Sequence, residues 1–459
     1  MSISKKEFIQ ELMDKVERIG NKLDVDFYSA LIDSDDLQSI TATKEKISAK
    51  SSFSYGIGIR VIYKNKQGYT SIQKTDAKSI KTAFQKAIAS AKLNSNKINF
   101  WFDKPIRREY LYKDKDPDLD VKSKIVKETL SVIPQKNTEK INVENSFRQV
   151  INKRGFVSSE GRWIYQETPY SSFGSKVVLT EKRREVGLAK YGKQKGFEIN
   201  KVFDDKVMTA YNVAKKLQKA VIPKGGKFKV IADGVLTSVL IHEALGHASE
   251  SDLVHQKDSC LDGKLNTRIS NKKITVYDDP LKKGAWGSYR FDDEGIKGRK
   301  VAILKDGVLK EFLNSRVTAN IFNQKPNGHG RSQDSSFVPI VRMSNTYIKK
   351  GDMNFKDMLE TVKNGFYLKG SLGGQVNTLE GDFVFNSYYG YEIKNGKLTD
   401  IVKNVSLSSN ILNVLNNIIG IGKRYEEDFP GTCGKGGQGV PVSGDNPKVA
   451  MGNVIIGGK

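Results

Sequence analysis

In the run VLTSVLIHEALGHASESD (residues 235–252), His242 is followed at once by Glu243, and His247 comes five residues after the first histidine. The chain holds only 4 histidines in 459 residues, so half of its imidazoles fall in this one stretch. Neutral imidazoles to bind a metal, with a carboxylate to take a proton from water, are the components of a catalytic zinc centre. The spacing constrains the backbone. Residues four apart share a helix face, whereas five steps on an ideal helix leave two side chains about 140° apart. Both histidines can reach one metal only if the helix widens into a π-turn or ends at Gly246. Such π-bulges are frequent at functional sites. A regular helix through His247 would leave only an amphipathic segment with two hydrogen-bonded imidazoles.

Length and composition predict two or three folding units with real apolar cores: 38% of residues are hydrophobic and 9% aromatic. No apolar run approaches the roughly 18 residues that a membrane span needs. The N-terminal stretch places Phe8, Leu12, Val16 and Ile19 at helical spacing among charges, which is an amphipathic helix and not a signal peptide. With only Cys260 and Cys433, a disulfide scaffold is excluded and a cytoplasmic location is expected. The net charge of +24 keeps nucleic-acid binding open as a second function class. Basic and acidic residues alternate, however, without a long basic block or a nucleic-acid module. A solvated lysine-rich surface is therefore preferred, with neither nucleic acid nor membrane expected as a partner.

Periodicity predicts an α+β fold, with mixed sheets and flanking helices ahead of a β-rich C-terminal domain that carries the metal-binding helix. In residues 1–96, VDFYSALI and YGIGIRVIYKNKQGYTSI read as strands, the latter turning at Asn-Lys-Gln-Gly. Asp76 caps a helix that buries Ile80, Phe84, Ala87 and Ile88. The Asn-rich stretch near residue 97 reads as a boundary. Residues 97–222 follow with a helix around VKSKIVKETLSVI, alternating hairpin strands, and a long helix ending at Pro223. This segment is expected to stand alone or to pack with 1–96 as one domain. Residues 223–459 form the third unit, in which KFKVIADG is a strand and Asp233 caps the histidine helix.

Two imidazoles alone make a weak site, so a third ligand is expected. Cys433, Cys260, His255, His329, Glu250 and Asp252 are the candidates. Glycines flank Cys433 in FPGTCGKGGQGVPV and allow a close backbone approach, and a thiolate there would compensate metal charge. Cys260 lies in a polar loop, and His255 requires a sharp turn to come back.

HEALGHASESD, GSYRFDDEG, NGHGRSQDSSFVPIVRMSNTY, KNGFYLKGSLGGQVNTLEGDFVF, GTCGKGGQGVPV and MGNVIIGG together resemble the TldD/PmbA family of metallopeptidases, and within it the metal-bearing TldD branch. Weaker similarity extends through SSEGRWIYQ and GIGIRVIY, so nearly the whole chain is covered. The resemblance implies a cytoplasmic zinc-dependent protease that cuts short or unfolded peptides inside a dimer. It makes His242, His247 and Cys433 the ligands of one Zn²⁺ per active subunit, and Glu243 the catalytic base. It also implies pairing either with a second copy or with a metal-free family member. His329 departs from the small polar residue expected in NGHGR.

The chemistry that would follow is metal-assisted hydrolysis, with Glu243 taking a proton from water and returning it to the leaving amine. Glu250 is a candidate to orient a ligand histidine. Gly373, Gly374, Gln375 and Asn377 are candidates to hold a peptide by strand addition through main-chain bonds. A structural metal in an assembly subunit without peptidase activity is the alternative within the metal-bearing class.

Overall fold

The computed structural model describes residues 4–113, 116–134, 140–426 and 430–458. Helix α1 (Lys5–Gly20) starts at a capping box in which Ser4 and Glu7 exchange side-chain and backbone hydrogen bonds, and it buries Ile9, Leu12, Met13 and Val16. Strands β1 (Phe27–Thr43), β2 (Ile47–Tyr63) and β3 (Lys66–Ile72) form an antiparallel meander. Helix α2 (Ala77–Leu93) follows, with Asp76 accepting from Ser79 N at its start. Then come β4 (Ile106–Tyr110), α3 (Leu119–Glu128), β5 (Lys140–Ser158), β6 (Arg162–Thr180), β7 (Arg184–Lys193) and α4 (Phe203–Leu217). All seven strands join one sheet in the order β3-β2-β1-β5-β6, where β6 takes β4 along its first half and β7 along its second. Because β1 pairs with β5 from Ser29 to Thr43, segments 1–96 and 97–222 share this sheet.

Several details differ from the expectation, among them the end of α4 at Leu217, ahead of Pro223, and the start of β2 at Ile47, ahead of Tyr55. The first strand does not stop at Ile32 but continues through Asp33, Ser34, Asp35 and Asp36 to Thr43. The aspartates are satisfied by tertiary partners: Asp33 accepts from Ser335 N at 2.9 Å, Asp35 from Asn152 at 2.6 Å and Asp36 from Lys153 at 2.6 Å. The hairpin after β2 turns at Lys64-Asn65, both with positive φ (52° and 61°), and not at the expected Asn65-Lys66-Gln67-Gly68. Gly68 serves packing instead, since a Cβ there would lie 1.9 Å from Ala87 O of α2.

The C-terminal half is built on a second seven-stranded sheet. Its order is Gly365–Lys369, β8 (Gly226–Ala232), Pro447–Gly458, Lys397–Asn410, Asp382–Lys394 and Gly374–Asn377, with Ile418–Tyr425 against Pro447–Gly458. Gly365–Lys369 pairs in parallel with β8 and antiparallel with Asp382–Lys394, so five strands close into a ring. Strand Gly374–Asn377 remains as an edge on the outer half of Asp382–Lys394. Apolar side chains of the ring (Phe366, Leu368, Phe383, Leu407, Val449) share one cluster with Leu236, Leu240, Ala244, Leu245 and Ala248 of the histidine segment. Buried ion pairs tie the two halves together: Arg60 with Glu294 at 2.5 Å, Arg154 with Asp293 at 2.6 Å, and Glu160 with Arg316 at 2.9 Å.

Candidate metal centre

Helix α5 (Gly234–Ile241) grows directly out of β8. Asp233 Oδ1 accepts from Leu236 N at 2.9 Å, and its Oδ2 accepts from Gly370 N at 3.0 Å, which anchors the helix start to the ring of strands. At His242 the helix widens. Residues His242–Gly246 form a π-turn in which His247 N donates to His242 O, five residues back. A short 3₁₀ turn, His247–Ser249, follows, and the chain becomes extended at Glu250 before α6 (Ser251–His255). The i to i+5 bond brings residues five apart onto one face, as the spacing demanded. Gly246 permits it, because a Cβ there would lie 2.0 Å from Met343 Sδ.

The other half of the site comes from a hairpin, Gly431–Lys435 and Gln438–Val442, turned through Gly436 and Gly437 with φ of 58° and 73°. Fully buried Arg342 holds this hairpin by donating to the carbonyls of Cys433 and Gln438. Cys433 Sγ lies 3.3 Å from His247 Nε2. The rings of His242 and His247 stand 5.1 Å apart, nearly perpendicular at 83°. One ligand atom from each of His242, His247 and Cys433 falls within 4.8 Å of the others, the one such grouping among the described residues. The donor set suits zinc. Nitrogen and sulfur ligands on one tetrahedral Zn²⁺ lie about 3.6 Å apart, close to the separation seen here.

Burial opposes ionisation of the Cys433 thiol, but His242 and His247 more than offset it and hold the group well below its ordinary value. Burial likewise works against charge on His247, and Glu250 and Cys433 reverse that and raise it. Glu250 has no exposed surface, and its Oε2 accepts from His247 Nδ1 at 3.0 Å. Burial would push its carboxyl up, yet His247 and Lys435 pull it down to about 2. Lys435, two residues beyond Cys433, reaches Glu250, Asp252 and the Val341 carbonyl together. This lysine lies in the GTCGKGGQGVPV stretch, yet its residue type assigns it no role, since one lysine in a glycine-rich hairpin looks like an ordinary surface charge.

Glu243 Oε2 sits 3.8 Å from His247 Nε2, and its side chain is 25% exposed, so solvent reaches a carboxylate at the edge of the cluster. The remaining ligand candidates lie apart from it. Asp252 is engaged by Lys435, and His255 is exposed at the end of α6. Cys260 is half-buried, its N–H donating to Thr378 O, and burial pushes its thiol up. His329 is fully buried between Asp278 Oδ1 and Asn327 Oδ1, each 2.9 Å from a ring nitrogen. Strand Gly374–Asn377 lies against the π-turn. Gly373 has a positive φ of 95°, and a Cβ on Gly374 would meet Phe385 Cδ1 at 2.0 Å. The side chain of Gln375 is exposed. The amide of Asn377 is spent on the following turn, where it bonds Leu379 N, Glu380 N and the Glu380 carboxylate.

The PmbA/TldA metallopeptidase models match in order along the chain: domain 1 over residues 38–91, the central domain over 112–221 and the C-terminal domain over 225–458. The chain belongs to the PmbA/TldD metallopeptidase family. Among family members, a metalloprotease of Methanocaldococcus jannaschii is 38% identical over 94% of this chain and 97% of its own length. A protein of Saccharolobus solfataricus named a zinc metalloprotease TldD homolog is 28% identical over 91% of this chain and 94% of its own. The fold is that of TldE from Thermococcus kodakarensis, with a TM-score of 0.78 at 20% identity, covering 97% of this chain and all of that one. No helix among the described residues is long and apolar enough to cross a membrane.

Proposed function

We propose that this PmbA/TldD family member is a zinc-dependent protease of short or unfolded peptides. The observation that carries the reading is the convergence of His242, His247 and Cys433 from two separate elements, with Glu243 beside them. His242 and His247 would each offer one ring nitrogen and Cys433 its Sγ as thiolate, the three protein ligands that catalytic zinc sites use. When bound, the zinc ion supplies Lewis-acid polarisation of a peptide carbonyl and acidification of water. Glu243 accepts the proton of the attacking water on its carboxylate, and the same carboxyl gives that proton to the nitrogen of the leaving amine. Glu250 fixes the His247 ring by accepting from Nδ1, so that Nε2 faces the cluster.

The edge strand Gly374–Asn377 is the place where a peptide backbone would add as a further strand, with open space beside Gly373 at its start. Recognition would then run through main-chain groups of this strand, and the Asn377 amide would support the turn behind it. We further propose that the enzyme works as a dimer, with itself or with a metal-free relative, in the reducing cytoplasm, where its two cysteines stay free. The test is Glu243→Gln. It is expected to keep the bound zinc of the wild type and to lose peptide cleavage by about 10²-fold or more. Retained cleavage would overturn the assignment, and a zinc site that admits no water would favour a structural metal in an assembly subunit.

A further inference from the structure

We infer that Lys435 is a positioning residue of the metal centre, acting through Glu250 on His247. The inference rests on the reading of His242, His247 and Cys433 as a metal site.

Cys433 and Lys435 are alternate residues of one strand, so both side chains leave the same face, about 7 Å apart along the chain. Cys433 meets His247 Nε2 at 3.3 Å. Lys435 Nζ meets Glu250 Oε2 at 3.0 Å, Asp252 Oδ1 and Oδ2 at 2.7 and 2.8 Å, and Val341 O at 3.0 Å. Glu250 Oε2 is also the atom that accepts from His247 Nδ1, at 3.0 Å. A ring of contacts therefore runs from Cys433 along its strand to Lys435, on to Glu250, to His247 and back to Cys433. One short strand thus brings both a ligand and the cation that anchors the partner of the opposite ligand.

The surroundings give this ring its importance. The Lys435 side chain is only 15% exposed, and its three N–H donors are spread over four oxygens. It is an internal cation and not a solvated one. Glu250 is completely buried, and its Oε1 has no hydrogen-bond partner. All of that carboxylate's polar contacts pass through Oε2, so its orientation depends on Lys435 and His247 together. Without Lys435, the buried Glu250 carboxylate and the partly buried Asp252 carboxylate would be left with no cation between them, and their like charges drive the pair apart. Glu250 would then leave His247 Nδ1, and the ring would no longer be held with Nε2 towards Cys433. Partners behind a metal-binding imidazole fix its tautomer and orientation in this way, and their loss costs about 10–100-fold in metal affinity.

The experiment measures zinc affinity by chelator competition on the full chain, for wild type, Lys435→Met, Lys435→Arg, Glu250→Gln and the Met/Gln double variant. Lys435→Met and Glu250→Gln should each bind zinc about 10–100-fold more weakly. Lys435→Arg, which keeps the cation, should stay within about threefold of wild type. The double variant should be no weaker than the worse single one, because both act through the same contact. Additive losses, an arginine variant as weak as the methionine one, or wild-type affinity in either neutral single variant would overturn the inference. If Lys435→Met does not fold, Lys435→Gln takes its place, and Glu250→Gln still tests the same contact independently. A wild-type chain that binds no zinc would instead defeat the metal-site reading itself.

Discussion

Replacing Gly246 by alanine sets two calculable effects against each other. Gly246 has helical backbone angles, φ −60° and ψ −59°, so alanine is conformationally welcome there. On propensity alone it should stabilise the fold by about 1 kcal/mol. The new Cβ, however, would sit 2.0 Å from Met343 Sδ and 3.3 Å from Met343 Cγ and Cε. An ordinary carbon–sulfur contact is nearer 3.5–4 Å, so the thioether must retreat by roughly 1.5–2 Å. Met343 has no exposed surface. Overpacking of this kind costs about 1–3 kcal/mol. The net loss of fold stability should therefore be no more than about 2 kcal/mol, read by urea unfolding of the metal-free chain. The larger effect should fall on the proposed zinc site. Gly246 immediately precedes His247, and strain relieved by moving the π-turn displaces that ring from Cys433. Zinc affinity should drop by about 10-fold or more, measured by chelator competition. Adding Met343→Ala, which removes the clashing sulfur, should restore affinity even though it empties core volume. If Gly246→Ala gains the full 1 kcal/mol of propensity and binds zinc like wild type, close packing is not the reason for glycine at this turn.

Two further outcomes test the frame around the site. Arg60→Met should destabilise the chain by about 3–5 kcal/mol, because Arg60 and Glu294 have side chains only 5% and 1% exposed and Glu294 would be left a buried charge without its partner; a loss below about 1 kcal/mol in urea unfolding would contradict this. Asp278 is held below the ordinary carboxylate range, since burial raises its pKa but the bond and charge of His329, with Ser344 and Thr346, lower it further. A depressed carboxylate stabilises the fold above its unfolded pKa and loses that contribution as pH falls through its folded one. The stability gap between wild type and Asp278→Asn should thus be about 1.5–3 kcal/mol at pH 7 and shrink towards pH 3, and a gap that widens in acid would refute the assignment.

The parts legible in the sequence were those governed by neighbours along the chain. The caps at Asp76 and Asp233 and the alternating strands of the β5–β7 meander depend on local chemistry, and the structure forms them where the pattern places them. The five-residue histidine spacing was legible as a geometric demand, and the π-turn meets it. What the pattern hid depends on distant partners. The polar half of β1 looks like loop until Ser335, Asn152 and Lys153 are seen to satisfy its aspartates. Gly68 looks like a turn residue until α2 is found against it. The closure of five strands into a ring rests on one strand, Gly365–Lys369, pairing on both edges, and no periodicity reports that. Within the site, the histidines and Cys433 are residue types that bind metals, whereas Lys435, though in the same stretch as Cys433, is one of 76 basic residues and acquires its role only from Glu250 and Asp252 opposite it.

The most direct test of the proposed metal centre is X-ray absorption at the zinc edge of the purified, zinc-loaded chain. The expected spectrum shows one sulfur at about 2.3 Å, two imidazole nitrogens at about 2.0–2.1 Å and one further light-atom ligand from solvent. The sulfur signal should vanish in Cys433→Ala. A spectrum without sulfur, or one in which four protein ligands close the site, would contradict it.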